Sequence, residues 1–279
     1  MSQENFNFIR ELVMARSGLV LKEEKKYLVE SRLRPVAGKH GLEDHHALIN
    51  FVRFNKDEGL INEIIDAMTT NETFFFRDGS PFVIFRDLIL PHVMKKNAAA
   101  RSFRIWCCAA STGQEPYTLA MILRETAPQL AGWTCDIVAT DISRESLKRA
   151  RSGIYTQFEV QRGLPMQMLV KYFRNKTEMW EIDSSLRAMV DFREFNLLDD
   201  FTSLGVFDIV FCRNVLIYLE MDAKTDILGR IAERMPKDGF LFLGSSETVL
   251  GISDAFRLIP DMPGVYSACP VGGPAQAAR

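Results

Sequence analysis

The stretch RIWCCAASTGQEPY, residues 104–117, decides how the second half of this chain folds. Ile105, Trp106, Cys107 and Cys108 read as a buried strand. Ala109, Ala110, Ser111 and Gly113 form a small-residue turn, and Glu115-Pro116-Tyr117 opens a helix. Proline is tolerated in a first helical turn because the N–H it lacks has no partner there. Strand, tight turn and helix in that order begin a βαβ unit.

Downstream, the pattern repeats. Apolar runs at 103–108, 135–140, 189–193, 207–212 and 240–244 read as strands, with helical periodicity at 116–125, 143–152 and 222–235. Strands without polar alternation, separated by helices, predict a mainly parallel sheet with right-handed crossovers. Two further strands, 256–258 and 265–267, flank a Pro-Asp-Met-Pro-Gly turn. Between Tyr155 and Met189 the alternation breaks, giving a helix (164–173) and then two short strands, 178–182 and 186–190, around Asp183-Ser184-Ser185. This reads as an inserted β-subdomain at about 172–190, either a partner surface or an inert elaboration.

Upstream, everything is helical. Phe6, Ile9, Leu12 and Val13 make one stripe closed by Gly18, and Tyr27, Leu28, Ser31 and Val36 make a second. Leu48, Phe51 and Val52 follow Asp44 as N-cap, and Leu60, Ile61, Ile64, Ile65 and Met68 make a fourth. A fifth helix runs from Ser80 to Val93. The expected organisation is a helical domain (1–69), a linker and lid (70–101), an α/β domain (102–270) and a loose tail (271–279).

Composition narrows the function. The chain has 279 residues, 47% apolar and 25% charged, with a formal net charge of −2, so no overall basic field draws it to nucleic acid or an acidic membrane. No apolar run approaches the ~18 residues of a membrane span, and Glu4, Arg10, Glu11 and Arg16 interrupt the start, so the expected location is the cytoplasm. Five cysteines and four histidines show no metal-ligand spacing; buried free thiols and no metal are expected.

The chemistry gathers at strand ends. GxGxxG is absent, since Ala109 and Ser111 stand where glycines would be, and Glu115 at the helix start would repel a phosphate. An acid there suits a ligand carrying positive charge. Asp141 ends the second strand, where a carboxylate accepts hydrogen bonds from a ribose diol; it also reads as a helix cap. A nucleoside without a diphosphate, but with an ammonium and a sulfonium, is S-adenosylmethionine. Asn196 and Leu197 follow the third strand and suit an adenine's edge and face. Arg213 and Asn214 end the fourth, and Tyr218 follows one helical turn later. Upstream, Thr73, three phenylalanines (74–76) and Arg77 read as an interdomain plug or as a lid over the cofactor.

These motifs resemble a known family. TTNETFFFRD, CCAASTGQEPY, ATDIS, ARSGIY, FDIVFCRNVLIY and KDGFLFLGSSE are similar to the bacterial chemoreceptor glutamate methyltransferases called CheR, over nearly the whole chain. The resemblance implies a class I S-adenosylmethionine methyltransferase domain, Rossmann-like with a mainly parallel sheet, behind an N-terminal helical domain and carrying a small inserted antiparallel β-subdomain. It implies methyl esterification of glutamates on the cytoplasmic helical bundles of chemoreceptors, with S-adenosylhomocysteine as product. Matching positions place cofactor contacts on Asn71, Thr73, Arg77, Glu115, Asp141, Asn196, Leu197, Arg213 and Asn214. The segment 173–190 lacks the longer, glycine-bearing hairpin of relatives that dock on a receptor's C-terminal peptide, so no peptide tether is expected.

For the reaction, Tyr218 is expected to orient the acceptor glutamate, helped by a basic group among Lys95, Lys96 and Arg213. A surplus of Lys and Arg in the first forty residues could steer an acidic receptor. The expected assembly is a monomer, without nucleic acid or membrane insertion. Two rival readings stay open. Residues 214–218 (NVLIY) loosely match a grip on a flipped base in a nucleic-acid adenine methyltransferase, and a cofactor sensor without methyl transfer would keep the same binding loop.

Overall fold

The computed structural model describes residues 1–268; the expected tail at 271–279 and Cys269 lie outside the described residues. Four helices open the chain: α1 (Gln3–Ser17), α2 (Lys26–Lys39), α3 (His45–Asn55) and α4 (Glu58–Met68). Side chains start three of them, with Ser2 accepting from Asn5 N, Asp44 from Ala47 N and Asp57 from Leu60 N. Gly18, at φ +70°, ends α1 in the left-handed conformation. Phe6, Ile9, Val13, Leu33, Leu48, Ile49, Ile61 and Ile64 are among the residues of a core separate from the rest of the molecule.

After an extended linker, α5 (Ser80–Ile84) and α6 (Leu90–Lys96) are joined without a break by a π-helical turn at Phe85–Ile89. The sequence expectation of one helix from Ser80 to Val93 thus holds as a rod, widened by one turn in its middle.

The remaining elements are β1 (Ser102–Cys107), α7 (Gln114–Glu125), β2 (Thr134–Asp141), α8 (Arg144–Ser152), β3 (Ile154–Thr156), α9 (Gln157–Gln161), α10 (Met166–Tyr172), β4 (Phe173–Lys176), β5 (Met179–Ile182), α11 (Ser184–Arg187), β6 (Val190–Glu194), β7 (Ile209–Cys212), α12 (Met221–Glu233), β8 (Phe240–Leu243), β9 (Phe256–Leu258) and β10 (Val265–Ala268). Seven strands form one sheet in the order β6-β2-β1-β7-β8-β10-β9, and every pairing is parallel except the two that β10 makes, with β8 and β9. Strand order reverses between β1 and β7, so a crevice opens there beyond the strands' carboxyl ends.

Cys107 packs into the core on one face of the sheet and Cys108 into the core on the other, as adjacent strand residues must. Burial pushes both thiols well above their ordinary range.

The inserted hairpin is displaced from its expected place. Its strands are β4 and β5, turning at Thr177 (φ +67°), and β3 completes a three-stranded antiparallel sheet in the order β3-β5-β4. The subdomain therefore begins at residue 154 instead of about 172. Residues 183–185 are no turn between strands: Asp183 accepts from Ser185 N and caps the short α11. Arg174, Asn175 and Lys176 disguised β4, because an exposed edge strand need not be apolar.

Candidate active site

The crevice at the switch point is a cavity of about 910 Å³ including its open mouth. Residues from the ends of β1, β2, β6 and β7 line it, together with Ser17, Leu19 and the linker residues Thr69–Thr73 and Arg77. Ten of the residues singled out in the sequence meet here: Asn71, Thr73, Arg77, Glu115, Asp141, Asn196, Leu197, Arg213, Asn214 and Tyr218.

The loop after β1 is wound through left-handed conformations at Ser111 (φ +49°) and Gly113 (φ +95°). A Cβ on Gly113 would lie 3.0 Å from Ala150 Cβ and 3.1 Å from Tyr155 Oη, so glycine is required for both shape and space. Two tyrosines buttress the loop. Tyr155 Oη of β3 donates to Thr112 O (2.8 Å), and Tyr117 Oη donates to Ala150 O (2.7 Å). The inserted sheet is thereby tied to the loop after β1.

Asp141 closes the other side. Its Oδ2 accepts from Ser111 N (2.7 Å) and its Oδ1 from Ser143 N (2.8 Å). The side chain bridges the first two strand ends, and α8 is capped by Ser143 Oγ instead. Burial pushes the Asp141 carboxyl up to about 6, against those two N–H donors.

Arg213 and Glu115 form a buried pair (Nη1 to Oε2, 2.7 Å), and Nη2 reaches Asp78 Oδ2 (2.8 Å) and Arg77 O (3.0 Å). Glu115 is therefore not the lone acid the sequence suggested. Two carboxylates on one guanidinium leave a formal charge of −1, still suited to a cationic ligand. Burial raises the Glu115 carboxyl, and Arg213 opposes the rise. Both Nη ends of Arg213 are spent, while its buried Nε has no partner among the described residues.

Asn196 Nδ2 donates to Arg16 O (2.7 Å), tying the loop after β6 to α1. The linker is pinned at several points. Ser111 Oγ donates to Asn71 O (2.9 Å), Phe76 N to Thr118 Oγ1 (3.2 Å), and Arg77 Nη1 to Glu72 O (2.6 Å). Phe75 is fully buried in the α/β core, while Phe74 lies under the guanidinium of Arg162, 4.4 Å away. The phenylalanine run is thus both a plug and the support of a cavity wall.

Lys95 and Lys96 do not belong here. Lys96 pairs with Asp238 (2.6 Å) beside the amino ends of β7 and β8, at the far end of the sheet from the cavity. The sequence also missed several residues. Ser17 and Leu19 bring the helical domain into the wall, and Val20 N donates to Tyr218 O (2.9 Å). Arg32 of α2 donates to Met68 O and Thr69 O, both at 2.9 Å, fixing where the linker departs. Arg230 holds Leu197 O (2.9 Å). None carries a local signal: Ser17 and Leu19 reach the wall only through the packing of the two domains, and Val20, Arg32 and Arg230 act on backbone carbonyls distant in sequence. The fold also draws Asp44, His45 and His46 together, although Asp44 Oδ1 is committed to capping α3.

Comparison with known proteins agrees with this architecture. Residues 4–69 match the all-alpha domain of CheR methyltransferases and residues 71–264 their SAM binding domain. The chain is 39% identical over 271 residues to a chemotaxis protein methyltransferase of Pseudomonas putida, covering 95% of this chain and 98% of that one. A Pseudomonas aeruginosa relative, chemotaxis protein methyltransferase 1, is 39% identical over 265 residues, covering 94% and 96%. The Escherichia coli chemotaxis protein methyltransferase is 36% identical over 264 residues, covering 92% and 89%. With both domains matched in order and relatives aligned nearly end to end, the chain belongs to the CheR methyltransferase family.

Proposed function

We propose that this protein transfers the methyl group of S-adenosylmethionine to ionised glutamate side chains on the cytoplasmic helices of chemoreceptors. The observation that carries the reading is the convergence on one cavity of Asp141, Asn196, Leu197 and the Arg213–Glu115 pair, which Asp78 backs. That donor set fits the cofactor. Asp141 offers carboxylate oxygens to a ribose, Leu197 and Ile142 offer apolar surface to a base, and the unpartnered Arg213 Nε is a buried donor at the amino-acid end.

When bound, the cofactor supplies an electrophilic methyl on a sulfonium. The acceptor needs no base, because a glutamate with an ordinary pKa of about 4.3 is already ionised at neutral pH. This chain's work is then positioning and exclusion of water, which can contribute on the order of 7–11 kcal/mol in the best model systems. Tyr218, at the cavity wall, orients the acceptor carboxylate, and Arg213 holds the walls together without touching the acceptor. The linker and the end of α1 close the cavity from above.

Of the basic residues near the amino terminus, Arg16 and Lys39 are paired with Glu58 and Glu63, and Arg32 is turned onto carbonyls. Steering of an acidic receptor therefore falls to Arg10, Lys22, Lys25, Lys26 and Arg34. The two-residue turn between β4 and β5 supports recognition without a C-terminal peptide tether.

The deciding assay supplies tritiated cofactor with receptor cytoplasmic fragments, with nucleic acid, or alone, followed by alkali. Volatile methanol is expected only with the receptor fragment, since only a carboxyl ester releases it. Label retained on nucleic acid, or none transferred, would overturn the reading.

A further inference from the structure

One carboxylate outside the cavity collects four backbone donors. Glu247 lies in the turn after β8, where its own N–H donates to Gly244 O (3.0 Å). Its Oε2 accepts from Asn214 N (2.6 Å) and Gly244 N (2.7 Å), and its Oε1 from Val215 N (3.0 Å) and Ile217 N (3.3 Å). Four N–H groups match the roughly four lone-pair positions of an ionised carboxylate. Three of them belong to the segment 214–218 that carries Asn214 and Tyr218 into the cavity. That segment is not relaxed on its own, because Asn214 holds φ at +58°. A cradle of successive N–H groups is an anion site, and here the chain fills it with its own side chain.

We infer that Glu247 is a positioning residue for methyl transfer, fixing the 214–218 segment so that Tyr218 meets the acceptor carboxylate. The inference rests on the proposed esterification and adds a residue that touches neither cofactor nor acceptor. Gly244 belongs to the same device. A Cβ there would stand 2.7 Å from both Glu247 Oε2 and Asn214 Nδ2. Glutamine at 247 cannot replace the acid, since its amide N–H₂ would face one of the two pairs of backbone donors.

The test compares wild type, Glu247→Gln, Glu247→Asp and Tyr218→Phe, alone and as the Glu247→Gln/Tyr218→Phe pair, in the methanol-release assay. S-adenosylhomocysteine affinity is measured alongside by calorimetry. Glu247→Gln should lower kcat at least tenfold while cofactor affinity changes less than fivefold, because Asp141, Asn196 and Leu197 are held by other contacts. Glu247→Asp keeps the charge with a shorter reach and should fall between. The double variant should be no slower than the slower single one, the signature of one device.

Wild-type kcat in Glu247→Gln, or fully additive losses in the pair, would overturn the inference. If Glu247→Gln does not fold, Gly244→Ala must show the same loss of kcat with cofactor affinity kept; if that variant also fails to fold, the carboxylate serves the fold and the inference is wrong. A wild-type enzyme that releases no methanol sinks the proposed esterification first.

Discussion

Asp141 makes the most demanding prediction, because its environment gives its removal and its protonation the same signature. A ribose diol would donate to an ionised acceptor, an interaction worth about 1.5–3 kcal/mol. Asp141→Ala should therefore weaken S-adenosylhomocysteine binding about 10- to 150-fold, at about 1.4 kcal/mol per decade.

The pH dependence sharpens this. Burial lifts the carboxyl to about 6, so protons compete with the ligand inside the accessible range. If only the carboxylate binds, affinity is nearly flat above pH 7. It should fall about tenfold by pH 5, where roughly ten of eleven free sites are protonated. Proton and ligand compete for one form, so binding should release protons near pH 6. Calorimetry in two buffers of different ionisation enthalpy counts them.

The unliganded protein should show the opposite face of the same shift. A carboxyl whose folded value lies above its unfolded value favours folding most at low pH, and that contribution is lost as pH rises through about 6. Asp141→Ala should abolish the pH dependence of binding, which separates it from titration of Glu115. Wild-type affinity in Asp141→Ala, or wild-type binding that is flat between pH 5 and 8, would refute the ribose role.

Two further outcomes follow, one from the cavity's wall and one from the packing behind it. Tyr218→Phe should lower turnover while S-adenosylhomocysteine affinity, measured by the same titration, stays within about twofold; unchanged turnover would remove Tyr218 from the reaction. Gly163 sits at φ +84°, and a Cβ there would lie 2.1 Å from Phe75 O, so Gly163→Ala should cost about 2–5 kcal/mol in urea unfolding. A loss under 1 kcal/mol would show that the phenylalanine segment yields more easily than its packing implies.

The correct parts of the sequence reading were those with local causes. Periodicity marked the four opening helices, and doubly buried strands announced a parallel sheet, because each pattern reports which faces of one element meet a core. The small-residue loop and Asp141 were legible because a parallel sheet places ligands beyond its strand ends. The misread hairpin had no such signal. Edge strand β4 is polar, and its pairing with β5, like that of β3, is made by backbone groups any residue can offer.

By itself, then, the sequence determined the layering, the cavity's place and ten of the residues that line it. Tertiary structure decided their charge state and their support. Glu115 and Arg213 neutralise each other across 98 positions of chain, Lys96 is drawn to the wrong end of the sheet, and Glu247 reaches back 33 residues to hold Asn214. Such partners are chosen by where strands end in space, and long-range electrostatic and backbone contacts leave no periodicity in the chain that makes them.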